Sequence, residues 1–257
     1  MKHQRRVLLA QVMVVVFAMT AVVWSAEKAE TKSEKAAPKA EKVATKAKKT
    51  PAKGAKELKE APVATAAKEP ASFMKGYQAY RAGKLDQAIA AFEEAAKENP
   101  DHAASLQFLA RTYYEKKRFA EAVKTAQRVA KLDPENGRNL RTLGLAQMGM
   151  NDIKAAAESF DKAARIEPKN FWTLNDLGFV LLQLDRNDEA RKALERAVAV
   201  DATKAMTWNT LGVARLRAGD REGAIEAFKK ALQIDPNYAM AKGGLAMAES
   251  QKTAKAK

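Results

Sequence analysis

From about residue 69 to residue 238 the chain repeats itself every 34 residues, and that period limits what it can fold into. Pro100, Pro134, Pro168 and Pro236 share one column, with Ala202 in the remaining copy. Gly76, Gly144, Gly178 and Gly212 share a second, with Ala110 in the second copy. Ala88, Ala122, Ala156, Ala190 and Ala224 form a third. Phe92, Phe160 and Phe228 form a fourth, interrupted by Ala126 and Leu194, and Ala95, Ala163, Ala197 and Ala231 a fifth, with Val129 in the second copy.

Each copy reads as two helices joined by a short polar turn. The turns are expected at Gly83-Lys84, Lys117-Arg118, Asn151-Asp152, Asn187-Asp188 and Gly219-Asp220, where Gly releases a helix and Asn or Asp caps the next. Asn99-Pro100, Asp133-Pro134, Glu167-Pro168 and Asp235-Pro236 stop the second helices, because a residue before Pro is driven out of helical geometry. No alternating β-type run occurs. Glycine inside a helix costs about 1 kcal/mol relative to Ala. Its recurrence in one column therefore implies a contact too close for a larger residue. The alanine column is expected to face it. Leu109, Leu143, Leu177 and Leu211, with the Phe column, are expected to fill the layer between neighbouring copies. One hairpin cannot bury its apolar face alone, so the copies must stack.

Trp208, Leu211, Gly212, Ala224, Phe228 and Pro236 resemble the tetratricopeptide repeat pattern, with Arg215 in place of its Tyr and Tyr113 keeping that Tyr in the second copy. The resemblance implies an all-α, right-handed α-solenoid of five tandem helix-turn-helix repeats, at 69–102, 103–136, 137–170, 171–204 and 205–238. Residues 239–257 then form a capping helix and a Lys-rich tail, with Leu245 and Ala246 standing where a sixth Leu-Gly pair would be. Gly243 and Gly244 weaken that helix.

The N-terminal part has a different character. Lys2, Arg5 and Arg6 precede an almost unbroken apolar run from Val7 to Val23, so residues 1–26 read as a signal peptide cut after Ser25 or Ala26, or as a retained anchor. Either outcome places the repeats outside the cytoplasm, in a periplasm or against an inner membrane. Residues 27–70 are nearly all Ala, Lys, Glu, Pro and Thr, and read as a disordered, charged tether. It holds twelve Lys against seven Glu, and the whole chain carries a net charge of +15. An anionic membrane or cell-wall surface is therefore a candidate contact, and the export signal disfavours nucleic acid.

Cysteine is absent and the two histidines, His3 and His102, are far apart, so no disulfide, metal or cofactor is expected. No phosphate loop, nucleophile elbow or zinc-protease motif is found, and no catalysis is expected. The candidate site is instead a second stripe on the first helices, formed by residues three and four apart. It comprises Phe73, Tyr77 and Tyr80; Gln107, Arg111 and Tyr114; Arg141, Leu145 and Met148; Asn175, Phe179 and Leu182; and Asn209, Val213 and Leu216. The family resemblance implies that this stripe, with Arg138 and Trp172, lines a concave groove that takes a peptide or helix of a partner protein. Tyr77, Arg111, Arg141, Trp172 and Asn175 are expected to be exposed there, and Leu182 and Leu216 to pack. The stripe carries no recurring Lys–Asn pair of the kind that some members use to hold a terminal carboxylate. A neighbour's terminal repeat stacking on the weakly capped end would make a homo-oligomer.

Overall fold

The computed structural model describes residues 70–254, with side chains to residue 250. The signal or anchor segment and nearly all of the tether lie outside these residues. The described residues form eleven helices and no strand: α1 (Ala71–Arg81), α2 (Leu85–Glu98), α3 (Ala103–Glu115), α4 (Phe119–Leu132), α5 (Gly137–Gly149), α6 (Ile153–Ile166), α7 (Phe171–Gln183), α8 (Asn187–Val200), α9 (Ala205–Arg217), α10 (Arg221–Ile234) and α11 (Ala239–Ala254). Each helix packs mainly on its neighbours in sequence, and consecutive odd-numbered helices also touch. The result is an all-α tandem-repeat solenoid whose first helices form one layer and whose second helices form the other. None of the described helices is long and apolar enough to cross a membrane.

The local signals act where the chain must turn. The tight turns carry left-handed residues at Gly83, Lys117, Asn151, Asp185 and Gly219, with φ of 73°, 60°, 63°, 56° and 87°. In the fourth copy the turn therefore lies at Asp185-Arg186, and Asn187 already begins α8. The expected turn at Asn187-Asp188 was two residues late, because acids such as Asp188 are favoured in a first helical turn as well as at a cap. The side chains of Asp152 and Asp220 cap α6 and α10 by accepting from Ala155 N and Gly223 N. The first helices α3, α5 and α7 are capped by His102, Asn136 and Asn170.

The glycine column meets the Phe column, not the alanine column. A Cβ on Gly76 would lie 2.6 Å from the Phe92 ring, and one on Gly144 or Gly212 2.7 Å and 2.6 Å from Phe160 and Phe228. A Cβ on Gly178 would collide with Leu194. Phe92, Phe160, Leu194 and Phe228 are fully buried. The missing side chain is what lets a ring sit against the backbone of the first helix. The second copy has Ala110 and Ala126 in these two places, a pair that trades the ring for a methyl on the facing helix. In α11, Gly244 has the same use: a Cβ there would lie 2.5 Å from the Phe228 ring.

Gly144→Ala tests this contact, because helix propensity and packing push it in opposite directions. The gain of about 1 kcal/mol from propensity should be outweighed by overpacking, leaving a net loss of about 1–2 kcal/mol in urea unfolding. A variant as stable as the parent would show that the ring has room to move.

Candidate functional site

The second stripe divides into side chains that hold the first-helix layer together and side chains that reach solvent. Gln107 Nε2 donates to Asn139 Oδ1 at 2.6 Å, joining α3 to α5. Arg141 Nε donates to Asp176 Oδ2 at 2.8 Å, joining α5 to α7. Thr207 Oγ1 donates to Asn175 Oδ1 at 3.0 Å, joining α9 to α7. These bonds form a polar spine along the layer. Their partners lie 32 or 35 residues apart, one repeat minus two or plus one, so each rung links adjacent copies.

Several expected groove residues are consequently buried. Asn175, expected to be exposed, is buried because the first helices of neighbouring copies close over its column. Asn209 is buried by the same packing under α11, and Phe179 packs within the layer beside buried Leu182, while Leu216 is half-buried. Phe73 and Tyr80 are buried in an aromatic cluster at the N-terminal end. The hub of that cluster, Phe108, was not anticipated: its ring centroid lies 5.9 Å from Phe73, 5.3 Å from Tyr77, 5.7 Å from Tyr80 and 5.6 Å from Phe92. The column next to the predicted one carries it, and an aromatic residue there was the available signal.

The solvent-reaching members are Tyr77, Gln107, Arg111, Tyr114, Arg141, Met148 and Trp172, all half-buried, with Arg138 exposed. The Arg111 guanidinium lies 5.8 Å from the Tyr80 ring and pairs with Glu115 at 3.5 Å. The Arg141 guanidinium lies 6.0 Å from the Trp172 ring, and that of Arg81 6.0 Å from the Tyr77 ring. Guanidinium groups over ring faces give a surface of flat, cationic and aromatic parts, the kind that anchors a protein partner. Among the described residues no group of three or more His, Asp or Glu is placed to hold a metal.

Asp176 was missed because an acid one turn from the core reads as surface. It is 3% exposed, and burial pushes its carboxyl above the usual range while the Arg141 guanidinium and the Asn175 amide pull it back. A carboxyl whose native pKa lies above its unfolded value holds its proton more tightly when folded. Its contribution to stability therefore improves as pH falls through that raised pKa and worsens above it. Arg141→Met, which strands Asp176, should cost about 3 kcal/mol at neutral pH, and the cost should shrink as pH is lowered and Asp176 takes a proton. Asp176→Asn should cost less than half as much. Denaturation series at several pH values measure both, and a pH-independent cost for Arg141→Met would contradict the assignment.

The spine ends at Asn209. The column that supplies Asn139 and Thr207 holds Ala241 in α11, and both amide atoms of Asn209 are buried without a partner. Asn209→Leu, with the same branching and no polar atoms, should raise stability by about 1 kcal/mol in urea unfolding. A loss of that size would mean that the amide is satisfied.

A solenoid of stacked helical hairpins with an aromatic and cationic face on its first helices defines a helical-repeat protein of the interaction type. Models of the tetratricopeptide repeat match residues 79–146, 142–170 and 170–237, together running without a gap over more than half of the chain. The chain belongs to the tetratricopeptide repeat family. Among solved structures, the MamA protein is 23% identical, with a TM-score of 0.60 over 65% of this chain and 92% of that one. YrrB, described as a TPR protein with an unusual peptide-binding site, is 20% identical, with a TM-score of 0.61 over 67% and 89%. TTC0263, a TPR protein of Thermus thermophilus, is 24% identical, with a TM-score of 0.50 over 70% and 98%. At these identities the likeness is one of fold. No curated protein gives a significant match.

Proposed function

We propose that this protein is a non-enzymatic scaffold that holds a segment of a partner protein along its first-helix face, in the assembly of an envelope complex. The observation that carries the reading is the row of half-exposed Tyr77, Gln107, Arg111, Tyr114 and Trp172 with exposed Arg138, on a layer fixed by the polar spine. A surface held in place before binding loses little conformational freedom when a partner docks. The excess of Arg over acid on this face favours a segment carrying Asp or Glu, held by charge-assisted hydrogen bonds. The peptide-binding site named for YrrB supports the same use of the fold. Export rests on the charged and apolar N-terminal sequence, which would hold the repeats in the periplasm or at the inner membrane.

A second reading rests on charge alone: the Lys-rich tether attaches the protein to an anionic membrane or cell-wall surface. Affinity capture from a membrane fraction separates the two. Replacing Arg111, Arg138 and Trp172 together by Ala should abolish capture while the helix content stays as in the parent. Arg141 is left in place because it neutralises Asp176. Capture that survives the triple variant but is lost, with strong salt dependence, on deletion of residues 27–69 would replace the scaffold reading with attachment.

A further inference from the structure

The back of the solenoid has four intervals between successive second helices, and in three of them a side chain of this chain bonds the carbonyl of the proline column. Between α2 and α4, Arg128 Nη2 reaches back to donate to Pro100 O at 2.8 Å. Between α6 and α8, Arg196 Nη2 makes the equivalent bond to Pro168 O at 3.4 Å and a second to Ala164 O at 3.4 Å. Between α8 and α10 the column of these arginines holds Lys230, and Trp208 packs there against the apolar cluster of α10. Trp208 replaces the leucine of the earlier copies, and its Nε1 donates to Ala202 O, the carbonyl in the proline column, at 2.8 Å.

The interval between α4 and α6 has neither device. Its strap position is Lys162, which has no planar fork to lay across to Pro134 O, and its floor position is Leu140 rather than a Trp. A cleft of about 670 Å³ remains, lined by Ala130, Leu140, Leu143 and Ile166 and by the cations Lys131, Lys162 and Arg165. Leu140 is correspondingly 8% exposed, where Leu106 and Leu174 in the arginine-bridged intervals are 0% exposed. Arg165 pairs with Asp161 at 2.6 Å, while Lys131 and Lys162 are exposed.

We infer that this cleft is a binding site for a small organic anion built on a flat apolar ring system. The ring body would occupy the place that the Trp208 indole fills two copies later, and the anionic group would meet Lys131 and Lys162. A cleft of this size lies within the range of small-molecule sites, ~300–1,000 Å³. It is separate from the first-helix face, so its test is independent of partner capture.

The test is fluorescence titration of the intact chain with 8-anilinonaphthalene-1-sulfonate, with 2-naphthoate and neutral 2-naphthalenemethanol as competitors. The expected result is one site per chain that 2-naphthoate empties at concentrations where the neutral alcohol does not. Lys162→Arg keeps the charge but supplies the missing strap, and Leu140→Trp copies the fourth interval. Each should weaken binding by about tenfold or more without lowering the unfolding midpoint. Lys162→Gln, which leaves the cleft open, should weaken the anions and leave the neutral competitor unchanged. Equal binding by the parent and both closing variants would overturn the inference. So would equal competition by the neutral alcohol.

Discussion

The seating of a second-helix ring on a first-helix glycine is the contact that the rest of this protein depends on. It sets how closely the two helices of a hairpin approach, and so where the next hairpin can stack. Phe92, Phe160 and Phe228 occupy the place with a ring, Leu194 with a branched chain, and Ala126 with a methyl facing Ala110. The two columns vary together because they share one volume. Close packing leaves no space for a side chain on both helices at once.

That spacing also decides what the first helices can offer a partner. Drawn close, they bury much of the centre of the stripe and join Gln107, Arg141 and Asn175 to the next copies by hydrogen bonds. Buried polar groups are costly unless paired, and a spine that pairs them also fixes the register of one repeat on the next. What still reaches solvent is the margin: the aromatic and cationic side chains of the N-terminal copies, then Arg138 and Trp172. At the C-terminal end the spine meets Ala241, and unpaired polar atoms gather there. Besides Asn209, the Tyr238 hydroxyl is buried without a partner, and burial, with Asp235 nearby, pushes its pKa up to about 12. α11 covers the last apolar face without completing the hydrogen bonding beneath it.

The back of the molecule shows how copies of one plan diverge. A single column holds Arg128, Lys162, Arg196 and Lys230, and a single carbonyl position is bonded by an arginine, by a tryptophan, or by neither. Lysine and arginine carry the same charge, but only the guanidinium has several donors fixed in a plane to bridge the interval. Near-identical repeats thus enclose different surfaces, and a site can arise where one closing residue is absent.

The 34-residue period, its prolines and its small-residue columns determined the helices, their pairing and the stacked architecture from the sequence alone, because those signals are local or recur at fixed spacing. The stripe could also be placed on one helical face, since positions three and four apart share a side. Which of its members face water was decided only by the tertiary structure. Arg138 and Trp172 lie at the rim, while Asn175 and Asn209 are closed in by the next copy's first helix, and nothing at residue 175 or 209 itself records how near that helix comes. The partnership of Arg141 with Asp176, the meeting of glycine with ring rather than with alanine, and the cleft between α4 and α6 have the same origin. Each depends on distances between copies, which follow from packing and not from any residue's own preference.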